Sequence, residues 1–322
     1  MKYMKVLVTG GYGLVGHSLQ RITKMSKSNH EFVFLSRKDG DLREISNVDE
    51  IFAKYKPDIV IHLASCVGGV YENMSKNYSY LIDNLRINTN VVDACSRFGI
   101  KRLISCLSTC IFPEKGISYP LTSDQLHNGL PHESNIGYAY SKRILHLTGY
   151  LLSESCQNDS KISVINLTPT NLYGEYDNYN IKSSHVIPGL IHKTFNAKNE
   201  KKDLIVFGTG NALRQFLYVD DFSRVILRFI DFETDKNEIS CIVSPPEKSE
   251  VSIKTLIETI KNNFEYDGNI VFDDTYSDGQ YKKTTTDSEL KQYFPDFTFT
   301  ELQDGLKNVI KYFIENFDLI RK

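Results

Sequence analysis

An apolar run, KVLVT (5–9), passes without a spacer into TGGYGLVGHSL, where Gly10, Gly13 and Gly16 stand at G-x-x-G-x-x-G spacing ahead of a helix-period segment. Few patterns restrict a fold as strongly. Glycines so placed permit a tight turn, close approach of a ligand's pyrophosphate to the backbone, and close packing of the helix on the strand. The free N–H groups and dipole of the helix N-terminus favour that anion. Between a strand and a helix, at the start of a β-α series, the triplet predicts a dinucleotide site and the parallel sheet that carries one.

The series follows. EFVFLS (31–36), DIVIHLAS (58–65), RLISCLS (102–108) and KISVINLTP (161–169) are short apolar runs separated by helix-period segments, the pattern of a doubly wound α/β sheet. LIDNLRINTNVVDACSRFG (81–99) sets Leu81, Leu85, Val92 and Cys95 on one face and ends at Gly99, a helix-capping residue. Beyond about residue 171 the regularity gives way to tyrosine, asparagine, glycine and charge. Isolated strands DLIVFG and NIVFDD remain, with helices beginning near Val251 and Leu302. The expected architecture is a doubly wound parallel α/β sheet binding a dinucleotide over 1–170, and a smaller C-terminal α/β substrate domain over 171–322. EISCIVSPP (238–246) is apolar enough for the main sheet, so 204–246 is expected to return partly to the first domain.

Composition narrows the partners. With 38 basic and 40 acidic residues the net charge is −2, which makes no electrostatic case for nucleic acid or an anionic membrane. The six cysteines (66, 95, 106, 110, 156, 241) show no C-x-x-C spacing and the eight histidines no metal-ligand spacing. They read as reduced thiols of a cytoplasmic protein, and no metal is expected. The apolar part of MKYMKVLVTGGYG is too short for a signal peptide, and no stretch approaches the ~20 apolar residues of a membrane span.

Three further stretches carry chemistry. At the end of the second strand LSRKDGDL offers Ser36, Arg37 and Lys38, which suit the 2′-phosphate of NADP, while Asp39 and Asp41 keep NAD open. In GYAYSKR, Tyr138 and Lys142 share a helix face; an ammonium beside a phenol favours the phenolate and lowers its pKa from about 10. SCLSTCIFPEK places Ser108, Thr109 and Cys110 where a strand ends, which is where open α/β sheets bind ligands. A thiol with an ordinary pKa of about 8.5 is a capable base there if its surroundings lower that value.

The glycine loop, Ser108 and the Tyr138–Lys142 pair together resemble the extended branch of the short-chain dehydrogenase/reductase family. Further blocks narrow the likeness: HLASCVGGVYEN (62–73), LSTCIFP (107–113), SNIGYAYSKR (134–143), PTNLYGEYDN (169–178), SHVIPGLIHK (184–193) and SDGQYKK (277–283) are similar to members acting on GDP-4-keto-6-deoxy-D-mannose. The resemblance implies a Rossmann fold, inversion at C3 and C5, and reduction of the C4 ketone by NADPH to give GDP-L-fucose. It implies that Ser108 and Tyr138 polarise the ketone, that Cys110 removes a proton from one face and that His185 returns one on the other. Asn171, Lys193, Phe207, Arg214, Asp278 and Lys283 are implied to line the nucleotide-sugar pocket, Arg214 and Lys283 aimed at the diphosphate. Lys193 stands where many relatives carry arginine, which keeps charge but loses the bidentate fork. A helix pair including 78–98 and 138–153 implies a homodimer.

Read without the family, His185 is a hydrogen-bonded structural histidine. Rivals on the same fold are a nucleotide-sugar 4-epimerase and a 4,6-dehydratase. A dehydratase needs a carboxylic acid beside its serine or threonine, and Thr109 and Cys110 offer none. A redox sensor that binds NADP without catalysis is a third reading, although such relatives commonly lack the tyrosine or lysine that this chain keeps.

Overall fold

A computed structural model describes residues 3–26, 28–155 and 161–322, so Cys156 lies outside the described residues. The first half alternates strand and helix: β1 (Lys5–Thr9), α1 (Leu14–Ser26), β2 (Glu31–Phe34), α2 (Ile45–Tyr55), β3 (Ile59–His62), α3 (Val70–Arg97), β4 (Arg102–Cys106), α4 (Ile136–Ser155) and β5 (Ser163–Pro169). The second half is more broken: β6 (Asn171–Tyr173), α5 (Val186–Glu200), β7 (Leu204–Phe207), β8 (Leu213–Arg214), β9 (Phe216–Tyr218), α6 (Val219–Ile230), β10 (Glu238–Val243), β11 (Val251–Ser252), α7 (Ile253–Asn263), β12 (Ile270–Asp273), α8 (Ser288–Tyr293) and α9 (Leu302–Glu315).

Six strands form one sheet in the order β10-β5-β4-β3-β1-β2, every neighbouring pair parallel. The stretch at 238–243 joins it as an edge strand beside β5. Side chains alternate between the two faces. Leu7, Val60, Leu103 and Val164 pack with Phe52 of α2, Val91 of α3 and Leu145 of α4, whereas Val6, Val8, Ile61, Ile104 and Ile165 pack with Phe222, Val225, Ile226 and Phe229 of α6. A third apolar cluster joins Leu190 of α5, Leu256 and Ile260 of α7, and Leu306 and Phe313 of α9 around Leu204 and Val206.

β1 pairs with β2 on one side and β3 on the other, so successive connections leave in opposite directions and open a crevice beyond the carboxyl ends of these strands. Several elements differ from their sequence limits. β2, β3 and β4 stop at Phe34, His62 and Cys106, and after one or two further apolar residues each chain reaches a serine, Ser36, Ser65 or Ser108, and turns into a loop over the crevice. α3 begins at Val70, eleven residues before the periodic stretch, and passes a kink at Lys76 (φ −119°, ψ 17°). Its first turns, ENMSKNYSY, carry little apolar periodicity and are held by contacts instead: Lys76 pairs with Glu72 at 2.7 Å, and Gly137 lies so close to Asn77 O that a Cβ would approach it to 2.0 Å. No helix among the described residues is long and apolar enough to cross a membrane.

Candidate active site

The glycine loop forms the floor of the crevice. Gly10 has φ +66°, and a Cβ there would meet the Ala64 backbone at 2.8 Å; at Gly16 it would meet Gly11 O at 2.3 Å. The loop therefore lies flat between β3 and the start of α1, presenting backbone to whatever sits above it. Beyond β2, Ser36 N and Oγ both donate to Asp39 Oδ2 (2.7 and 2.8 Å), and these bonds lower the Asp39 pKa. Asp41 is gripped by Arg43, its Oδ2 at 2.6 Å from Nη2, which pulls its carboxyl down to about 2. Both carboxylates that left NAD open are engaged within the loop, while Arg37 is exposed beside them. Arg43 was not singled out in the sequence because nothing local distinguishes it from a surface charge.

Beyond β4 the chain turns at once. Ser108 precedes a single 3₁₀ turn, Thr109–Ile111, and its Oγ accepts the Cys110 N–H at 3.4 Å. α4 crosses this turn with Tyr138 and Lys142 buried (8 % and 1 % exposed). Lys142 Nζ donates to Cys106 O at 2.7 Å and lies 5.8 Å from the centre of the Tyr138 ring. The expectation that Lys142 would bring the phenol towards neutrality is corrected: burial raises Tyr138 well above its ordinary pKa, the thiols of Cys110 and Cys106 add to this, and only the Ser65 side chain opposes. Burial likewise lowers Lys142. Tyr138 is held as a phenol, the form that donates a proton. The condition set for Cys110, surroundings that lower its pKa, is not met by the side chains around it: burial raises the thiol against the opposing pull of Lys283, Ser108 and Lys142.

A buried polar chain joins the two halves of the crevice. Thr9 Oγ1 accepts N–H bonds from Leu63 (3.1 Å) and Ala64 (3.2 Å), so its proton points to His62 Nδ1 at 2.8 Å. His62 Nε2–H then donates to Asn88 Oδ1 (3.0 Å), and Asn88 Nδ2 donates to Ser141 O (3.2 Å). Burial and Lys142 depress His62 to about 4, which keeps it in this neutral tautomer. The end of β1 is thereby tied to the helix that carries Tyr138. Asn88 does not stand out in the sequence; His62 and Ser65, whose Oγ donates to Asn84 Oδ1 at 2.9 Å, lie in the block HLASCVGGVYEN (62–73), which carries the likeness without giving either a role.

His185 is anchored separately, at the N-terminus of α5, with Nδ1 3.9 Å from Asp177 Oδ1. Its segment docks on the loop after β3, where Gly69 N donates to Ser183 O (3.0 Å). The ring keeps 48 % of its side-chain surface, yet crowding by protein disfavours its charge; Asp177 more than offsets this and the pKa is raised. Asp177 is itself buried, one oxygen without a hydrogen-bond partner among the described residues.

In the C-terminal lobe Arg214 bonds to carbonyls rather than carboxylates: Leu213 O at 2.7 Å, Gln280 O at 2.6 Å and Tyr281 O at 3.2 Å. Burial and the neighbouring Arg214 lower Lys283 to about 8, with Cys110 opposing. Among the described residues no carboxylate forms an ion pair with either cation, although Glu250 and Asp278 act on Arg214 through space, and two crowded cations of this kind suit a polyanion. Lys193 Nζ sits 3.2 Å from the centre of the Phe207 ring, burial lowering it to about 8, and Phe207 stacks on Tyr276 at 3.9 Å. Asn171 Nδ2 donates to Gln215 O (2.9 Å). Asp278 turns both oxygens to Thr209, accepting from its N (2.8 Å) and Oγ1 (2.5 Å). Tyr276 went unnoticed in the sequence for want of any local pattern.

Residues 6–242 match the model of the NAD dependent epimerase/dehydratase family. The chain is 40 % identical to a GDP-L-fucose synthase of Dictyostelium discoideum, over 98 % of this chain and 97 % of that protein. It is 40 % identical to a probable GDP-L-fucose synthase of Drosophila melanogaster over 99 % of both. It is also similar to the crystal structure of a GDP-L-fucose synthetase from Naegleria fowleri bound to NADP, at 42 % identity and a TM-score of 0.92, covering 99 % of this chain and 95 % of that one.

Proposed function

Because the chain belongs to the NAD dependent epimerase/dehydratase family, and within it to the GDP-L-fucose synthases, we infer that it epimerises GDP-4-keto-6-deoxy-D-mannose at C3 and C5 and reduces C4 to give GDP-L-fucose. The observation that carries this reading is that Cys110, in the turn beyond β4, and Tyr138 of α4 lie in one buried cluster, with Lys142 bonded to Cys106 O beside them: a thiol and a phenol brought to one strand end suit proton removal next to a polarised ketone.

The backbone cradle at Gly10 and Gly16, with Gly13 between them, fits a pyrophosphate, and Ser36 and Arg37 fit a 2′-phosphate, so these residues and Lys142 would hold NADP. When bound, NADPH supplies the hydride for C4. The chain's own groups do the rest. Ser108 and Tyr138 donate hydrogen bonds to the C4 oxygen, which acidifies the protons on C3 and C5 and stabilises each enolate. Cys110 Sγ takes a proton from one face; His185, as imidazolium, delivers one to the other. During reduction the Tyr138 hydroxyl gives its proton to the C4 oxygen. Arg214 and Lys283 hold the diphosphate, with Asn171, Lys193, Phe207 and Asp278 around the nucleotide sugar.

Incubating the protein with the keto sugar in deuterated water tests the reading. Label should enter at C3 and C5 without NADPH, and GDP-L-fucose should form with it; a keto sugar returned unlabelled would overturn it. Replacing Arg37 by alanine should raise the KM for NADPH by roughly 10- to 100-fold, the worth of a charge-assisted hydrogen bond, while leaving NADH kinetics unmoved in a dual-cofactor assay.

Asp177→Asn tests the acid. Asp177 raises the His185 pKa, so its loss lowers that pKa and the acid form disappears at lower pH. The alkaline limb of exchange against pH should move down.

The exposed apolar residues Met74 and Tyr78 of α3 and Leu147, Tyr150 and Leu151 of α4 support a homodimer through these helices. A cytoplasmic setting belongs to the same reading, since polyanionic nucleotides do not cross a bilayer unaided.

A further inference from the structure

Arg143 follows Lys142 on α4 and is 6 % exposed. Its Nε donates to Ile111 O at 2.7 Å and its Nη1 to Gly129 O at 2.7 Å. Ile111 is the last residue of the turn that has Cys110 at its centre, and Gly129 lies at the far end of the loop leaving that turn. The guanidinium thus clamps both ends of the loop beyond the thiol.

A latch of this kind does not need a full charge. Burying one without a carboxylate costs several kcal/mol in effect, and Nη2 is buried with no hydrogen-bond partner among the described residues. The ionisable groups whose negative charge would favour Arg143 are Tyr140 and Cys110. Of the two, Cys110 is the one that the proposed reaction ionises. A buried cation complementary to a charge that exists only while the base is ionised is how a site stabilises the reacting state over the resting one.

We propose that Arg143 is a positioning residue for the two epimerisations: it fixes the turn that aims Cys110 and supplies the positive field that steadies the thiolate. The proposal rests on the reading of Cys110 as the carbon base. Lys283, from the segment before α8, and Lys142 are the cations that most favour that thiolate, with Ser108 from its own turn, and Arg143 and Tyr138 of α4 feel its charge in turn. Arg143 is the cation among them that also holds the turn's backbone.

The test uses the full chain, the keto sugar in deuterated water without NADPH, and two variants, Arg143→Gln and Arg143→Lys. NADPH binding and thermal melting serve as folding controls. Glutamine keeps an N–H donor for one carbonyl but removes the charge. Exchange at C3 and C5 should fall about 100-fold, and the acidic limb of its pH profile, set by loss of the Cys110 proton, should move up by about one unit. Lysine keeps the charge, so its limb should stay near that of the unaltered chain even where its rate is lower. Equal rates with an unmoved limb in Arg143→Gln, or equal losses in both variants with an unmoved limb, would overturn the proposal and leave Arg143 a latch. If glutamine prevents folding while lysine does not, an upward limb in the lysine variant likewise counts against it and an unmoved limb for it. An unaltered chain that exchanges no label would instead sink the reading of Cys110 itself.

Discussion

Cys110→Ser is expected to reduce deuterium entry at C3 and C5 by about 10³-fold, the range lost when a positioned base is removed. Serine matches the thiol in shape, so the turn Thr109–Ile111 and the bond from Cys110 N to Ser108 Oγ should persist. What changes is acidity: an alcohol is a far weaker acid than a thiol, and Lys283 and Lys142 favour the thiolate against the burial that raises its pKa. NADPH binding should be unaffected, because Cys110 is not among the residues that would hold the cofactor, which lie on the glycine loop, beyond β2 and at Lys142. Exchange measured by NMR at the two sugar positions is the readout. A variant that labels both carbons at the unaltered rate would remove Cys110 from the mechanism.

Tyr138→Phe is expected to act chiefly on the hydride step, slowing NADPH oxidation by roughly 10³-fold or more. Two contributions combine there: loss of one hydrogen bond to the developing oxyanion, worth about 10² to 10³, and loss of the acid that neutralises the C4 alkoxide. Label exchange should fall less, because Ser108 still donates to the enolate and no proton has to reach the C4 oxygen. The ring itself is buried, so phenylalanine keeps its packing and the effect belongs to the hydroxyl. Burial holds that hydroxyl protonated. Rapid-mixing absorbance of NADPH, set beside exchange rates in the same variant, separates the two. Equal losses in both would mean that Tyr138 serves only as a hydrogen-bond donor.

Much of the fold was legible locally. A five-residue apolar run, a glycine loop and a helix-period segment form one β-α unit, and four more such runs repeat it; periodicity is a property of neighbours along the chain. The beginning of α3 was not legible, because its first turns are held by Glu72, Lys76 and the approach of Gly137 rather than by an apolar stripe. The same divide runs through the site. Ser108, Cys110, Tyr138 and Lys142 sit at strand ends and on helix faces that spacing reveals. Asp177, which raises His185, and Tyr276, which stacks on Phe207, have no local mark.

Local order along the chain was enough to determine a parallel sheet with a dinucleotide loop and a serine, thiol and phenol at one end of it, since glycine spacing and strand alternation act over a few residues. Tertiary structure alone decided the ionisation of those groups. Burial keeps Tyr138 a phenol and raises Cys110, and the cations that temper the thiol come from Lys142 on α4 and Lys283 far along the chain. The neutral tautomer of His62 was settled the same way, by Thr9 and Asn88, 53 and 26 residues away. Charge in a protein depends on what is near in space and on how much water is excluded, and neither is written in the order of residues.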